Sequence, residues 1–188
     1  MANLKAKMFN RKAGKPKNKP DEVINALALK PGQCIADIGS GGGYFSLRFA
    51  KIVGEGGKVY AVDTNKEFLD FIEQNAVETG LKNVIPVLTK DDAMDLPAHG
   101  IDLVFMRNVT HHLPNRQAYF KNLAEFLTPR GRVAIIEYKK RKSFSFHALF
   151  GHDVPKDVIQ QEMEASGYTL QKEFDFLPEQ HFSIYLRR

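Results

Sequence analysis

The chain contains a single cysteine, Cys34, among its 188 residues. One thiol builds neither a disulfide framework nor, by itself, a zinc site, so a reducing compartment, the cytoplasm, is expected. Long apolar runs are also missing: none approaches the ~20 residues that span a bilayer, and no membrane span is expected. The N-terminus is basic but lacks an apolar h-region and a small-residue cleavage site, so no secretory signal is expected either. There are no repeats and no low-complexity linker. With 43% hydrophobic residues, this length supports one core and one domain.

Acidic residues are absent from positions 1–20, which carry Lys5, Lys7, Arg11, Lys12, Lys15, Lys17 and Lys19. Outside this stretch the chain has 20 basic and 22 acidic residues, so its overall charge of +5 belongs to the arm. A second basic cluster stands at Lys139, Lys140, Arg141 and Lys142. Such runs suit a nucleic-acid or polyphosphate partner, and equally a solvated tail and loop. The division expected is a basic arm over 1–19 and a folded domain over 20–188.

What is present is an alternation of strand-like and helix-like segments. Pro20-Asp21-Glu22 opens a helix that buries Val23, Ile24 and Leu27. "QCIADIG", "GKVYAVD", "NVIPVLT", "IDLVFMR" and "GRVAIIEY" read as strands, with Pro86 marking the third as an edge. "YFSLRFAKIV", "NRQAYFKNLAEFL" and "PKDVIQQEMEAS" read as helices. Thr64 and Glu67 have the spacing of a capping box ahead of Phe68, and Gly80 closes that helix. "TLQKEFDFL" and "HFSIYLR", joined by "PEQ", read as a hairpin. The fold class expected is α/β: a Rossmann-like doubly wound, mostly parallel seven-stranded sheet with a C-terminal antiparallel hairpin.

In such sheets ligands sit outside the carboxyl ends of the strands. The stretch "ADIGSGGGYFS" ends the first strand there. It lacks the Lys-Ser/Thr pair of a P-loop, and neither register of the dinucleotide fingerprint fits it. What it offers is Asp37-x-Gly39-x-Gly41-x-Gly43. An acid beside the loop repels a pyrophosphate and suits an ammonium group. Asp63 ends the second strand, where a carboxylate accepts from both hydroxyls of a ribose or merely caps the next helix. Asp92 follows the third strand, where it accepts from an exocyclic amine or serves, with Asp91 and Asp95, as a turn residue. Three acids after three consecutive strands favour a nucleoside-like ligand with positive charge.

These residues resemble the class I S-adenosylmethionine-dependent methyltransferases over roughly residues 20–188. "CIADIGSGGGYFSLRFA", "VYAVD", "KDDAMDLP", "IDLVFMRNVTHHL" and "LTPRGRVAIIE" look like the family's successive motifs. "HHL" and "L-x-P-x-G" resemble the ubiquinone/menaquinone-biosynthesis-like and type-11 branch. Arg130 stands where that branch usually has glycine, and Glu137-Tyr138 where many members have aspartate. The resemblance implies S-adenosylmethionine as cofactor. Asp37 would anchor its amino group, with Gly39, Ser40, Gly41 and Gly43 close to the methionine part. Asp63 and Thr64 would take the ribose, Asp92 and Ala93 the adenine. Asn108 would line the pocket near the sulfonium, with His111 or His112 facing the acceptor unless it only packs or caps; His152 is a weaker candidate.

The resemblance also excludes. No Asn/Asp-Pro-Pro-aromatic signature follows the fourth strand. Cys34 lies inside a strand and cannot be a pyrimidine-attacking nucleophile, and one cysteine cannot hold arsenite. Arg107 and Asn108 stand where a magnesium-dependent catechol site wants acids. A small-molecule acceptor is expected, with RNA or protein, guided by the basic arm, as the alternative and a non-catalytic cofactor binder third. In related small methyltransferases the segment before the first helix covers the cofactor. Residues 1–8 are therefore expected to be mobile and Phe9–Lys19 to order over the ligand.

Overall fold

The computed structural model describes residues 2–90, 94–139 and 154–188. In chain order the elements are α1 (Ala2–Ala13), a 3-10 turn (Pro16–Asn18), α2 (Pro20–Leu27), β1 (Cys34–Ile38), α3 (Tyr44–Val53), β2 (Lys58–Asp63), α4 (Lys66–Glu78) and β3 (Val84–Leu88). There follow β4 (Ile101–Arg107), a 3-10 turn (Thr110–His112), α5 (Arg116–Leu123), β5 (Leu127–Tyr138), α6 (Lys156–Ala165), β6 (Tyr168–Phe174) and β7 (Gln180–Arg187). The seven strands lie in the order β3-β2-β1-β4-β5-β7-β6. The first five run parallel, and β7 is antiparallel to both β5 and β6. This is the doubly wound sheet the alternation implies. Pro86, which cannot donate to a ladder, does sit on the edge strand β3.

Side chains alternate across each strand, so the two sheet faces can be read from parity. Ile35, Val59, Leu103, Phe105, Ala134 and Ile136 pack with α2 and α3 through Val23, Leu27, Phe45 and Phe49. Ala36, Val62, Val104, Met106, Val133 and Ile135 pack with α5 and α6 through Phe120, Leu123, Ile159 and Met163. Phe49 and Phe105 are fully buried with ring centroids 5.2 Å apart. Truncating either to alanine costs about 3–5 kcal/mol of stability. The same parity sorts the polar residues at the carboxyl edge. Asp37 follows Ile35 onto the α3 face, and Glu137 follows Ile135 onto the α5–α6 face.

Two local expectations are corrected. The cap of α4 is Asn65, whose side chain accepts from the backbone N–H groups of Glu67 and Phe68, so Thr64 is not the capping residue. Residues 1–8 were expected to be mobile chain, but a helix begins at Ala2 and packs on the body. Ala6 is fully buried beside Phe68 and Phe71 of α4, and Ala13 joins the α2–α3 core. No helix among the described residues is long and apolar enough to cross a membrane.

Candidate active site

The strand order reverses between β1 and β4, and the loops at that point open a cavity of about 990 Å³. Its wall includes Asp37, Gly39, Ser40, Gly41, Asp63, Thr64, Asn108, His111 and His112 from among the residues singled out in the sequence. Gly43 is set back from the wall. It precedes α3 with φ 78°, and a Cβ there would lie 2.6 Å from Ile72. Asp92, Ala93, His152 and Lys140–Lys142 lie outside the described residues.

Asp63, at the end of β2, is half-buried and reaches the glycine loop. Its Oδ2 accepts from the N–H of Gly41 at 2.8 Å and its Oδ1 from the N–H of Asn65 at 3.0 Å. Burial raises its pKa against these backbone donors. Because Asn65 caps α4, Asp63 is not spent as the cap. It holds the loop and faces the cavity.

Asp37 is 4% exposed, and its donors lie on one residue, Ser46 of α3, through Oγ at 2.5 Å and through the backbone N–H. Burial pushes its pKa up to about 7, and the nearby charge of Asp63 adds to the rise. Ser46 and the guanidinium of Arg107 only partly offset this. Arg107 itself lines the cavity, leans on the ring of Phe45 and has no carboxylate within salt-bridge range among the described residues. Ser40 Oγ is buried without a hydrogen-bond partner among the described residues. An uncompensated carboxyl, an orphan hydroxyl and backbone at close range form a cradle for a polar, cationic ligand.

The arm covers this cradle. Asn10 Nδ2 donates to the carbonyl of Gly42 at 2.8 Å, and a Cβ on Gly42 would lie 2.3 Å from the carbonyl oxygen of Ala6. Only glycine permits α1 to approach so closely. Phe9 packs edge-on against Phe68 with centroids 5.5 Å apart. At the other side Lys17 pairs with Glu179 at 2.9 Å, and Lys12 lies over Tyr138. The arm is thus tied to α4 on one side and to the C-terminal hairpin on the other.

Across the cavity, on the opposite sheet face, stands a group the sequence reading did not assemble. Glu137 of β5 is fully buried. It accepts from Thr110 Oγ1 at 2.6 Å and from the N–H of Tyr138 at 3.0 Å, and lies 3.1 Å from His111 Nδ1. These partners hold its carboxyl below the usual range despite burial. Asn108, at φ 54°, turns the chain sharply after β4 and receives Gln180 Nε2 on its Oδ1. Arg107, Glu137 and Gln180 were legible only as a cation at a strand end, an acid in an apolar run and a polar residue in a hairpin joint, which the structure makes the first residue of β7.

The sequence pattern of the family described as "Methyltransferase domain" matches residues 29–175. A protein-L-isoaspartate O-methyltransferase of Aeropyrum pernix is 33% identical over 114 residues, 60% of this chain and 42% of that protein. A ubiquinone/menaquinone biosynthesis C-methyltransferase of Shewanella pealeana is 24% identical, over 82% of this chain and 66% of its own. The chain therefore spans less than two thirds of either relative. The crystal structure of a SAM-dependent methyltransferase from Aquifex aeolicus superposes with a TM-score of 0.84 at 23% identity, covering 96% of this chain and 98% of that one. The chain belongs to the methyltransferase-domain family.

Proposed function

We propose that this enzyme transfers the methyl group of S-adenosylmethionine to a small-molecule acceptor. The observation that carries the reading is two acids beside one glycine loop, buried Asp37 of β1 and half-buried Asp63 of β2, lining one cavity roofed by α1. Asp37 would take the cofactor's ammonium group, which supplies the compensation its carboxyl lacks. Asp63 would take the ribose hydroxyls, and Ser40 and Arg107 remain for the methionine carboxylate. Asp92 and Ala93 keep the adenine role the resemblance assigns them. The sulfonium supplies an electrophilic methyl carbon. The protein's part is to align the acceptor with the S–CH3 bond and to exclude water.

Asn108, His111 and His112 line the cavity, and in this reading Asn108 lies near the reacting carbon and His111 toward the acceptor. The arm's ties to the glycine loop, to α4 and to the hairpin lay it over one side of the cavity and support a small acceptor. The residues past 19 form the catalytic domain in this reading, and 1–19 act as its cover. A protein or RNA acceptor is the second reading. It draws on the exposed Lys5, Lys7, Arg11 and Lys15 of the arm, and on a relative whose name gives isoaspartyl protein as substrate. The test is calorimetry with S-adenosylhomocysteine and NAD, followed by label transfer from methyl-labelled cofactor into a metabolite extract or into RNA and protein. Binding of S-adenosylhomocysteine with label in small molecules supports the first reading. Salt-sensitive labelling of RNA, or labelling of protein, replaces it with the second.

A further inference from the structure

Glu137 is a fully buried carboxylate that no part of the cofactor cradle uses. It lies on the α5–α6 face, away from Asp37 and Asp63. Its Oε2 sits 2.6 Å from Thr110 Oγ1 and 3.1 Å from His111 Nδ1, and its Oε1 accepts from the Tyr138 N–H. An ionised carboxylate only accepts hydrogen bonds. The imidazole nitrogen that meets it must therefore carry hydrogen. A neutral His111 is fixed with its proton on Nδ1 and its lone pair on Nε2, the ring nitrogen turned away from Glu137. The His111 side chain is 7% exposed and lines the cavity wall. This is the base-plus-orienting-acid arrangement by which proteins remove a proton from a weakly acidic nucleophile.

We infer that Glu137 is a positioning residue that holds His111 as a general base, and that the methyl acceptor is a hydroxyl whose proton His111 removes. The inference rests on the methyl-transfer reading above. The acceptor O–H gives its proton to His111 Nε2. The freed oxygen lone pair forms the bond to the methyl carbon as the C–S bond breaks, and that electron pair stays on sulfur. The cofactor leaves as a neutral thioether, and the imidazolium then releases the proton to water. A neutral amine already carries its lone pair and would need no such base.

The charged and titratable groups around the pair are few. His112 stands beside His111 with ring centroids 4.1 Å apart. Arg107 of β4, Arg116 of α5 and His181 of β7, paired in register with Glu137, act on the carboxylate through their charge. Tyr138 follows it in the chain. None of the three carboxylate hydrogen bonds comes from an arginine, so His111 and Thr110 are its side-chain partners among the described residues.

The test uses the full chain. Nitrogen-15 NMR of the S-adenosylhomocysteine complex should show His111 protonated at Nδ1. With carbon-13 methyl-labelled cofactor and a metabolite extract, the shift of the transferred carbon reports its bonding, and a methyl on oxygen is expected. Glu137→Gln should lower turnover by about 100-fold or more while S-adenosylhomocysteine affinity stays within about twofold, which separates lost positioning from lost folding. Glu137→Asp should recover part of the rate. A methyl on nitrogen or carbon, or turnover indifferent to Glu137→Gln, overturns the inference and leaves the methyltransferase reading standing. If no extract yields product, that reading fails on its own terms. The His111 proton then decides only whether Glu137 positions the ring: Nδ1–H upholds that role and Nε2–H overturns it.

Discussion

Asp37 and Glu137 end parallel strands at the same edge of one sheet, and both are buried, yet their carboxyls move in opposite directions. Asp37 has donors on one residue, Ser46, with the like charge of Asp63 nearby, and is pushed up to about 7; Glu137 has donors on three residues and is held low. Burial opposes the charge in both, so the difference lies in the partners. A carboxylate surrounded by donors has its work inside the protein, and here that work is to hold His111. A carboxylate left short of donors has its partner outside, and the ligand that suits it is a cation. Parity of β1 and β5 puts the two acids on opposite faces, so the proposed cofactor holding and acceptor chemistry fall on separate sides of the cavity.

The contrast is tested first by Asp37→Asn. Removing the charge that meets an ammonium should weaken S-adenosylhomocysteine binding by about 2–3 kcal/mol, measured by calorimetry. The same variant should make the empty protein more stable at neutral pH. Asp37, its folded pKa raised, contributes stability below its unfolded pKa that is lost as pH rises toward about 7. Glu137 has the opposite sign: its contribution is present above its unfolded pKa and is lost as pH falls through the lowered folded value. Thermal melts across pH should therefore lose their neutral-side decline in Asp37→Asn and part of their acid-side decline in Glu137→Gln. Identical profiles in the two variants would dissolve the comparison.

Asp63→Ala comes next. It removes the bond to Gly41 and, in the proposed reading, those to the ribose, so cofactor affinity should fall by about 2 kcal/mol with the fold retained. Smaller again is Phe9→Ala, which thins the roof over Gly41 and its contact with Phe68. About 1 kcal/mol of cofactor affinity should go, seen as a fewfold rise in Kd. The smallest effect on binding belongs to Asn65→Ala, which should cost about 1 kcal/mol of stability in denaturant melts and leave affinity alone, while Thr64→Ala leaves the cap intact.

The seven strands and helices α2, α3, α4 and α6 were legible because their apolar periods are strong, and Pro86 gave away an edge. The arm helix was not. Its buried positions are Ala6 and Ala13, and alanine carries too little apolar signal to stand out among lysines. The cap of α4 was misplaced by one residue because Thr64 and Asn65 both have capping side chains, and only backbone geometry chooses between them. The glycine loop and its acids were local in sequence and could be read there. The Glu137–His111 pair could not, since 26 residues separate them and the register that sets Arg107 against Ile136 brings their segments together. A lone acid at the end of "RVAII" was the trace it left.

The most direct test of the account is the pH dependence of S-adenosylhomocysteine binding in the wild type and in Asp37→Asn. Calorimetry should show wild-type affinity rising by up to about tenfold per unit as pH climbs toward the Asp37 pKa and then levelling, because the ammonium is held by the ionised acid. The Asp37→Asn protein should bind weakly with no such rise. Equal affinity and equal slope in both proteins would contradict the claim that this buried acid is kept for the cofactor.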